Sequence, residues 1–282
     1  MSNSRRIRYR EQLTTCGEYL FVNIFTYFLI VRSDRRKARR AVSRAAVERV
    51  NQKNRENETN RVICTNFTEN DLFLTLTYEI ACASQKQASR DFLNFIKRLN
   101  RLRKRHGLPA VRWLKAIEGG SGKRIHIHAI LTGGLSSQDI GATWGKGFIY
   151  CEPLTFDNDG CKCLAAYFCK GSSEERGSTP RSKSRRWTCS RNCERPKPKV
   201  NDSKYSRRRV KEIAARARTD DRRALDTLYE GYECANARSF FTDEFGFDYI
   251  YLVFRRKETP RAKSQRTEMN RTIIQNERGL QT

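Results

Sequence analysis

The stretch VRWLKAIEGGSGKRIHIHAILT, residues 111–132, reads as two apolar runs around a glycine-rich turn. Val111 to Glu118 forms one strand, Gly119 to Lys123 the turn, and Arg124 to Thr132 a second strand, so a β-hairpin is expected. Within IHIHAIL, His126 and His128 stand two apart. Side chains at i and i+2 on a strand share a face, so both imidazoles point one way while Ile125 and Ile127 face a core. Two strand residues arranged so can grip one metal. Glu118 ends the partner strand, and an odd number of turn residues would place its carboxylate on the histidine face. Glu118, His126 and His128 then make a three-ligand site that keeps positions open for water or phosphate. An ordinary hairpin also carries a surface glutamate beside its turn. Mixed nitrogen and oxygen ligation suits Mn²⁺ or Mg²⁺, although imidazole also accepts Zn²⁺ or Ni²⁺.

Outward from the hairpin the pattern is compact α/β alternation. Leu72 to Tyr78 reads as a strand. Ser84 to His106 reads as an amphipathic helix with Phe92, Phe95, Ile96 and Leu99 on one face. A short helix from Ser136 to Thr143 leads to a strand near Phe148 to Cys151, and Cys161 to Lys170 is a further helix. Gly171 to Lys199 is a basic loop region, Tyr205 to about Gly231 is helical, and Asp248 to Arg255 is a last strand. Before the alternation begins, residues 1–18 are basic and polar, and the strand-like run Tyr19 to Val31 follows. Ser33 to about Glu58 is a charged helical stretch, either a solvated helix or a basic arm on DNA. The polar stretch after Arg256 is expected to be disordered. No internal repeat is present.

Composition narrows the partner. The 282 residues are 38% hydrophobic, enough for one sizeable core or two modest ones without disulfides. Lysine and arginine number 57 against 31 acidic residues, a formal net charge of +26. A small domain carries about 2 to 8 charges for solubility alone. An excess this large points to a polyanion, because displacing counterions from phosphates drives binding to nucleic acid. Ten cysteines lack the spacing of a secreted disulfide framework, and no signal peptide is recognisable, so a reducing cytoplasm is expected. The apolar run from Tyr19 is interrupted by Asn23 and Thr26 and is shorter than the roughly 20 residues of a membrane helix.

About 40 residues beyond the paired histidines, AAYFCKG carries Tyr167 and Lys170. At i and i+3 on a helix, phenol and ammonium would project on one side, where the cation can stabilise phenolate or a phosphate oxygen. A tyrosine with a pKa of about 10 needs such help to act as a nucleophile near neutrality. Together these parts suit a transesterification in which Tyr167 attacks a phosphodiester, leaving a 5′-phosphotyrosine and a free 3′-hydroxyl. Such chemistry needs no nucleotide cofactor, and no G-x-x-x-x-G-K-[ST] is present. The basic stretch with Arg181, Lys183, Arg185, Arg186, Trp187 and Arg191 is either a plain basic loop or a surface for phosphate contact and base stacking. Cys161, Cys163, Cys189 and Cys193 offer a zinc set of uncommon spacing, or are buried thiols.

FLTLTY at Phe73 to Tyr78, IHIHAIL at Ile125 to Leu131 and YFCK at Tyr167 to Lys170 resemble, in order and spacing, the three motifs of the HUH endonucleases. The nearest resemblance is to rolling-circle replication initiators of the phage gene II-like and plasmid Rep branch, to which the segments NFTENDLFLTLTY, WGKGFIY and RRWTCSRN are also similar. It covers roughly Asn57 to Pro198. It implies an α+β fold with a central antiparallel sheet of about five strands, helices on one face, and metal and tyrosine on the other. It further implies nicking and rejoining at a single-stranded or hairpin origin. No helicase motif is present, so a host helicase and polymerase would be partners. The single tyrosine of the third motif resembles the single-tyrosine Rep class.

The expected organisation is a basic N-terminal extension over 1–60, an endonuclease domain over 61–175, a basic and helical accessory region over 176–256, and a tail over 257–282. Two rival readings stand. One is another HUH branch, a relaxase or single-strand transposase, although relaxases carry a third motif histidine that is missing here. The other is a non-catalytic nucleic-acid-binding protein that keeps the fold.

Overall fold

Residues 8–16, RYREQLTTC, and 19–27, YLFVNIFTY, pair as the antiparallel strands β1 (Arg8–Cys16) and β2 (Tyr19–Tyr27), joined across Gly17. The computed structural model describes residues 8–27, 44–120, 122–170, 187–242 and 247–257. Next come helix α1 (Arg44–Asn66), strand β3 (Leu72–Leu76), helix α2 (Gln85–Arg105), strands β4 (Trp113–Gly120) and β5 (Lys123–Leu131), and helix α3 (Ser137–Trp144). Strand β6 (Ile149–Pro153), helix α4 (Lys162–Cys169), and the short strands β7 (Trp187–Cys189) and β8 (Lys199–Asn201) follow. Helix α5 (Arg207–Arg218), the single turn α6 (Arg222–Leu225) and strands β9 (Tyr232–Thr242) and β10 (Phe247–Arg256) complete the described chain.

The strands form two antiparallel five-stranded sheets, ordered β6-β3-β5-β4-β7 and β8-β1-β2-β10-β9. The class is α+β, as expected, and the first sheet contains the hairpin. The second sheet was not foreseen. It is built from both ends of the described chain, so segments read as an N-terminal extension and an accessory region share one hydrogen-bonded ladder.

Layering follows from the period-two pattern. On one side of the first sheet, Leu74, Leu76, Ile125, Ile127 and Ala129 pack on Phe92, Phe95 and Leu99 of α2 and on Trp144 of α3. The Trp144 indole donates to the Thr77 carbonyl at 2.9 Å, so this fully buried ring leaves no unpaired polar atom. On the other side, Leu114, Ala116 and Ile130 meet Val62 and Ile63 of α1 and Ala165 and Phe168 of α4. This face therefore also carries helices. Cys64 of α1 in turn reaches Phe21, Tyr251 and Val253 of the second sheet, whose far face holds Val22, Ile24 and Leu252 against Val210 and Ile213 of α5.

Two expected helices change. The charged helix, expected to end near Glu58, runs on to Asn66, and its second half is core, with Thr59, Asn60, Val62 and Ile63 buried. The expected stretch from residue 33 up to 43 and the tail from 258 onward lie outside the described residues. The helix expected from Tyr205 to Gly231 is broken after Arg218, where Asp220 takes a left-handed conformation with φ of 54°.

Candidate active site

A bulge opposite Gly119 decides which way Glu118 points. The β4–β5 ladder pairs Gly120 with Lys123 beside the turn but Glu118 with His126 beyond it, so Arg124 and Ile125 together stand opposite Gly119, and β5 carries the extra residue of a β-bulge. Without that insertion Glu118 would stand opposite Ile125 and share its core side. The φ of Gly119 is 92°, and a Cβ there would overlap the Arg124 carbonyl, so the position requires glycine.

The bulge gathers a compact donor set. Glu118 Oε2 lies 3.6 Å from His126 Nε2 and 3.7 Å from His128 Nε2. Candidate ligand atoms of the three residues fall within 4.8 Å of one another. His128 is buried, whereas Glu118 and His126 are half-buried, which leaves the cluster reachable from solvent.

Hydrogen bonds orient both rings. His126 Nδ1 lies 3.2 Å from the Arg124 carbonyl oxygen. A carbonyl only accepts, so Nδ1 carries the proton and Nε2 presents a lone pair. The Tyr167 hydroxyl lies 2.6 Å from His128 Nε2 and Thr75 Oγ1 lies 3.0 Å from His128 Nδ1, so a metal ligated at Nε2 would leave Nδ1–H to donate to Thr75. Burial, and then His126 beside it, push the His128 pKa down to about 4, so this ring is neutral at pH 7. Two imidazoles and a carboxylate thus converge, and the triad is positioned to bind a metal ion.

Tyr167 reaches the cluster from α4. Its phenol pKa is raised, first by burial and then by the Glu118 carboxylate. Phe73 lies parallel to the His128 ring at 5.8 Å and meets Tyr167 edge-on at 6.4 Å, wedging both. The helix is held along its length by α1. Gln52 donates to the Cys169 carbonyl at 3.2 Å, Thr59 meets Cys169 Sγ at 3.2 Å, and Asn60 Oδ1 accepts from the Cys161 backbone at 2.8 Å.

The ladder also aligns residues that no motif had joined. Trp187, Ala116, His128, Thr75 and Tyr150 are successive cross-strand partners over all five strands. Half-buried Trp187 and exposed Tyr150 therefore flank the histidine face at opposite edges. Thr75 lay unrecognised inside FLTLTY, because a hydroxyl on a strand has no sequence mark until its partner is known.

Lys170 is the C-cap of α4, three residues after Tyr167, where the backbone turns extended. Its side chain is exposed, and its backbone N–H bonds to the Tyr167 carbonyl. Of the expected DNA-contacting residues, Arg181, Lys183, Arg185 and Arg186 lie outside the described residues. Trp187 is stacked under Arg195, 5.6 Å from its ring centre, and Arg191 is exposed in the following turn. The possible zinc set is not assembled. Cys161 is buried beside Thr155, Cys163 is exposed, and Cys193 bonds to Ser190 and the Trp113 carbonyl. Among the described residues only Glu118, His126 and His128 cluster as metal ligands.

Thr75, Glu118, His126, His128 and Tyr167 all lie on the segment from β3 to the end of α4. Residues 71–172 match the family model for the replication-associated protein ORF2/gene II protein. The match is consistent with a rolling-circle replication initiator of the HUH type, and it spans both strands of the histidine hairpin and the tyrosine helix. The matched segment covers about a third of the chain and leaves the second sheet outside it. No curated protein and no solved structure matches the chain. Among the described residues no helix is long and apolar enough to cross a membrane.

Proposed function

We propose that this protein initiates rolling-circle replication by nicking single-stranded origin DNA through Tyr167 and later rejoining the strand. The supporting observation is the Tyr167 hydroxyl, 2.6 Å from a ligand-type nitrogen of the Glu118–His126–His128 cluster. In the reaction the Tyr167 oxygen forms a bond to phosphorus and the P–O3′ bond breaks. The products are a 5′-phosphotyrosine and a 3′-oxygen that takes up a proton. The energy of the cleaved bond stays in the phosphotyrosine link, so rejoining needs no nucleotide cofactor.

Glu118, His126 and His128 would hold Mn²⁺ or Mg²⁺, which when bound supplies Lewis-acid polarisation of the scissile phosphate. The protein's own groups fit that need. Beyond burial, Glu118 is what raises the Tyr167 pKa, so a cation neutralising Glu118 removes the charge that opposes phenolate. Thr75 orients His128, Phe73 wedges the phenol and imidazole, and α1 fixes the nucleophile's helix. Trp187 and Tyr150 offer ring faces to unpaired bases at the two edges of the site. A host helicase and polymerase would supply unwinding and synthesis.

The test is end-labelled single-stranded DNA from the protein's own replicon, incubated with the purified chain and Mn²⁺. Expected are one cut, a 3′ end that a polymerase extends directly, and loss of cutting with chelator or in a His126→Ala, His128→Ala double variant. Cutting at full rate by the double variant would refute the assignment.

A further inference from the structure

The second sheet turns one face toward α1, and α1 covers only part of it. Where Cys64 packs, Phe21, Tyr251 and Val253 are buried. Farther along the same face a row of neighbours crosses four strands: Arg10 on β1 stands opposite Phe25 on β2, whose ring stacks on Tyr249 of β10, which stands opposite Phe240 of β9. The Phe25 and Tyr249 rings lie 6.1 Å apart and 25° from parallel, and Tyr249 and Phe240 lie 6.4 Å apart. Despite this packing the outer rings stay open, with Phe240 48% and Tyr249 39% exposed.

The row is pinned and positively flanked. Tyr249 donates to Asn23 Oδ1 at 2.7 Å. Arg10 is held by Asp202 through two bonds of 2.6 and 2.7 Å and lies 4.0 Å over the Tyr27 ring. Lys53 of α1 lies 5.1 Å from the centre of the Phe240 ring. Arg10 is already neutralised by Asp202, but an apolar protein partner would have to dehydrate Lys53, whereas a phosphodiester backbone neutralises it while its bases lie on the rings. Only unpaired bases can do so, because paired ones are already stacked.

Its position ties the row to the nucleophile. Gln52, next to Lys53 on α1, bonds to Cys169 at the end of the tyrosine helix. Asn236 and Arg238, on the Phe240 side of β9, each bond Asp159 at 2.7 Å, just before that helix begins. β9 and its neighbour α1 therefore hold α4 at both ends.

We infer that Phe25, Tyr249 and Phe240, with Lys53, form a second binding surface for single-stranded DNA, which holds about two or three bases away from the bond that is cut. The inference rests on the reading that the chain acts on single-stranded DNA, but it needs no cleavage to be tested. The full chain carrying Tyr167→Phe, with chelator, is titrated into fluorescent oligothymidylate and anisotropy is read. Phe240→Ala and Tyr249→Ala are each expected to weaken binding about tenfold at unchanged thermal melting, and Phe240→Trp to retain it. Unchanged affinity in both alanine variants would overturn the proposal. If a variant unfolds, the Tyr167→Phe chain is photocrosslinked to 5-iodouracil oligonucleotides. Crosslinks on β9 or β10 support the surface, and their absence from both overturns it. A chain that forms no DNA adduct yet binds through these rings would sink the nicking reading alone. Normal adduct formation with affinity insensitive to the rings would sink this one alone.

Discussion

At His128 the ring has two hydrogen-bonding edges, and only Nε2 faces the open cluster. Thr75 holds the other edge, so Thr75→Val, nearly equal in volume, removes the acceptor that fixes the tautomer. Mn²⁺ affinity measured by calorimetry should fall about 10- to 100-fold with little change in melting temperature. An unaltered affinity would mean that burial alone orients the ring. Gly119 acts through register. Gly119→Ala must either strain a φ of 92° or lose the bulge, costing roughly 1–3 kcal/mol, and losing the bulge turns Glu118 away from the histidines. Urea unfolding and Mn²⁺ titration of that variant should both show a loss, and wild-type metal affinity would contradict the account. At this scale the clustering of Glu118, His126 and His128 was legible because histidine is rare in the chain and a period of two leaves few faces to choose from. Thr75, Phe73 and the bulge were not, since each acquires its role from a partner strand that sequence spacing does not name.

Among the elements, β4 and α2 enclose one buried cation. Lys115 donates to Ser89 Oγ at 2.9 Å and lies 4.7 Å from the Phe92 ring centre, and burial lowers its pKa from 10.5 to about 8. Between pH 10.5 and 8 the unfolded chain binds the proton more readily than the folded one, so stability is lost as pH falls through that window and stays lower beneath it. Lys115→Met should therefore stabilise the protein at pH 7 by about 2 kcal/mol, with the gain shrinking toward pH 10. Equal gains at both pH values in thermal melts would show that the effect is packing rather than charge. Helix α2 was legible almost to the residue, because Ser84 caps it by accepting from the Gln87 N–H and its apolar positions keep one face. Strand β1 was hidden by its charge, since RYREQLTTC looks polar although Tyr9, Glu11, Thr14 and Cys16 are buried. The end of α1 was missed for a related reason. Its buried Thr59, Asn60 and Asn66 are polar groups bonded to segments distant in sequence, and no helical period marks them.

For the whole molecule, the second sheet draws β1 and β2 from one end of the described chain and β9 and β10 from the other. That closure is long-range, which is why a local reading of the sequence found strands there but no sheet. It makes the N-terminal segment part of the core rather than an appendage. A chain lacking residues 1–43 loses the two strands between β8 and β10 and exposes Ile250, Leu252 and Phe254. Such a chain should fail to unfold cooperatively and should aggregate, whereas a soluble, cooperatively melting product that still binds Mn²⁺ would show that the first sheet folds alone.

In the proposed reaction Tyr167 becomes joined to DNA. The most direct measurement is mass spectrometry of the intact protein and its peptides after incubation with Mn²⁺ and single-stranded origin DNA, for the wild-type chain and Tyr167→Phe. Expected is a nucleotide mass on the peptide containing Tyr167, absent with chelator and absent from the variant. An adduct on another tyrosine, or equal adduct formation by Tyr167→Phe, would contradict it.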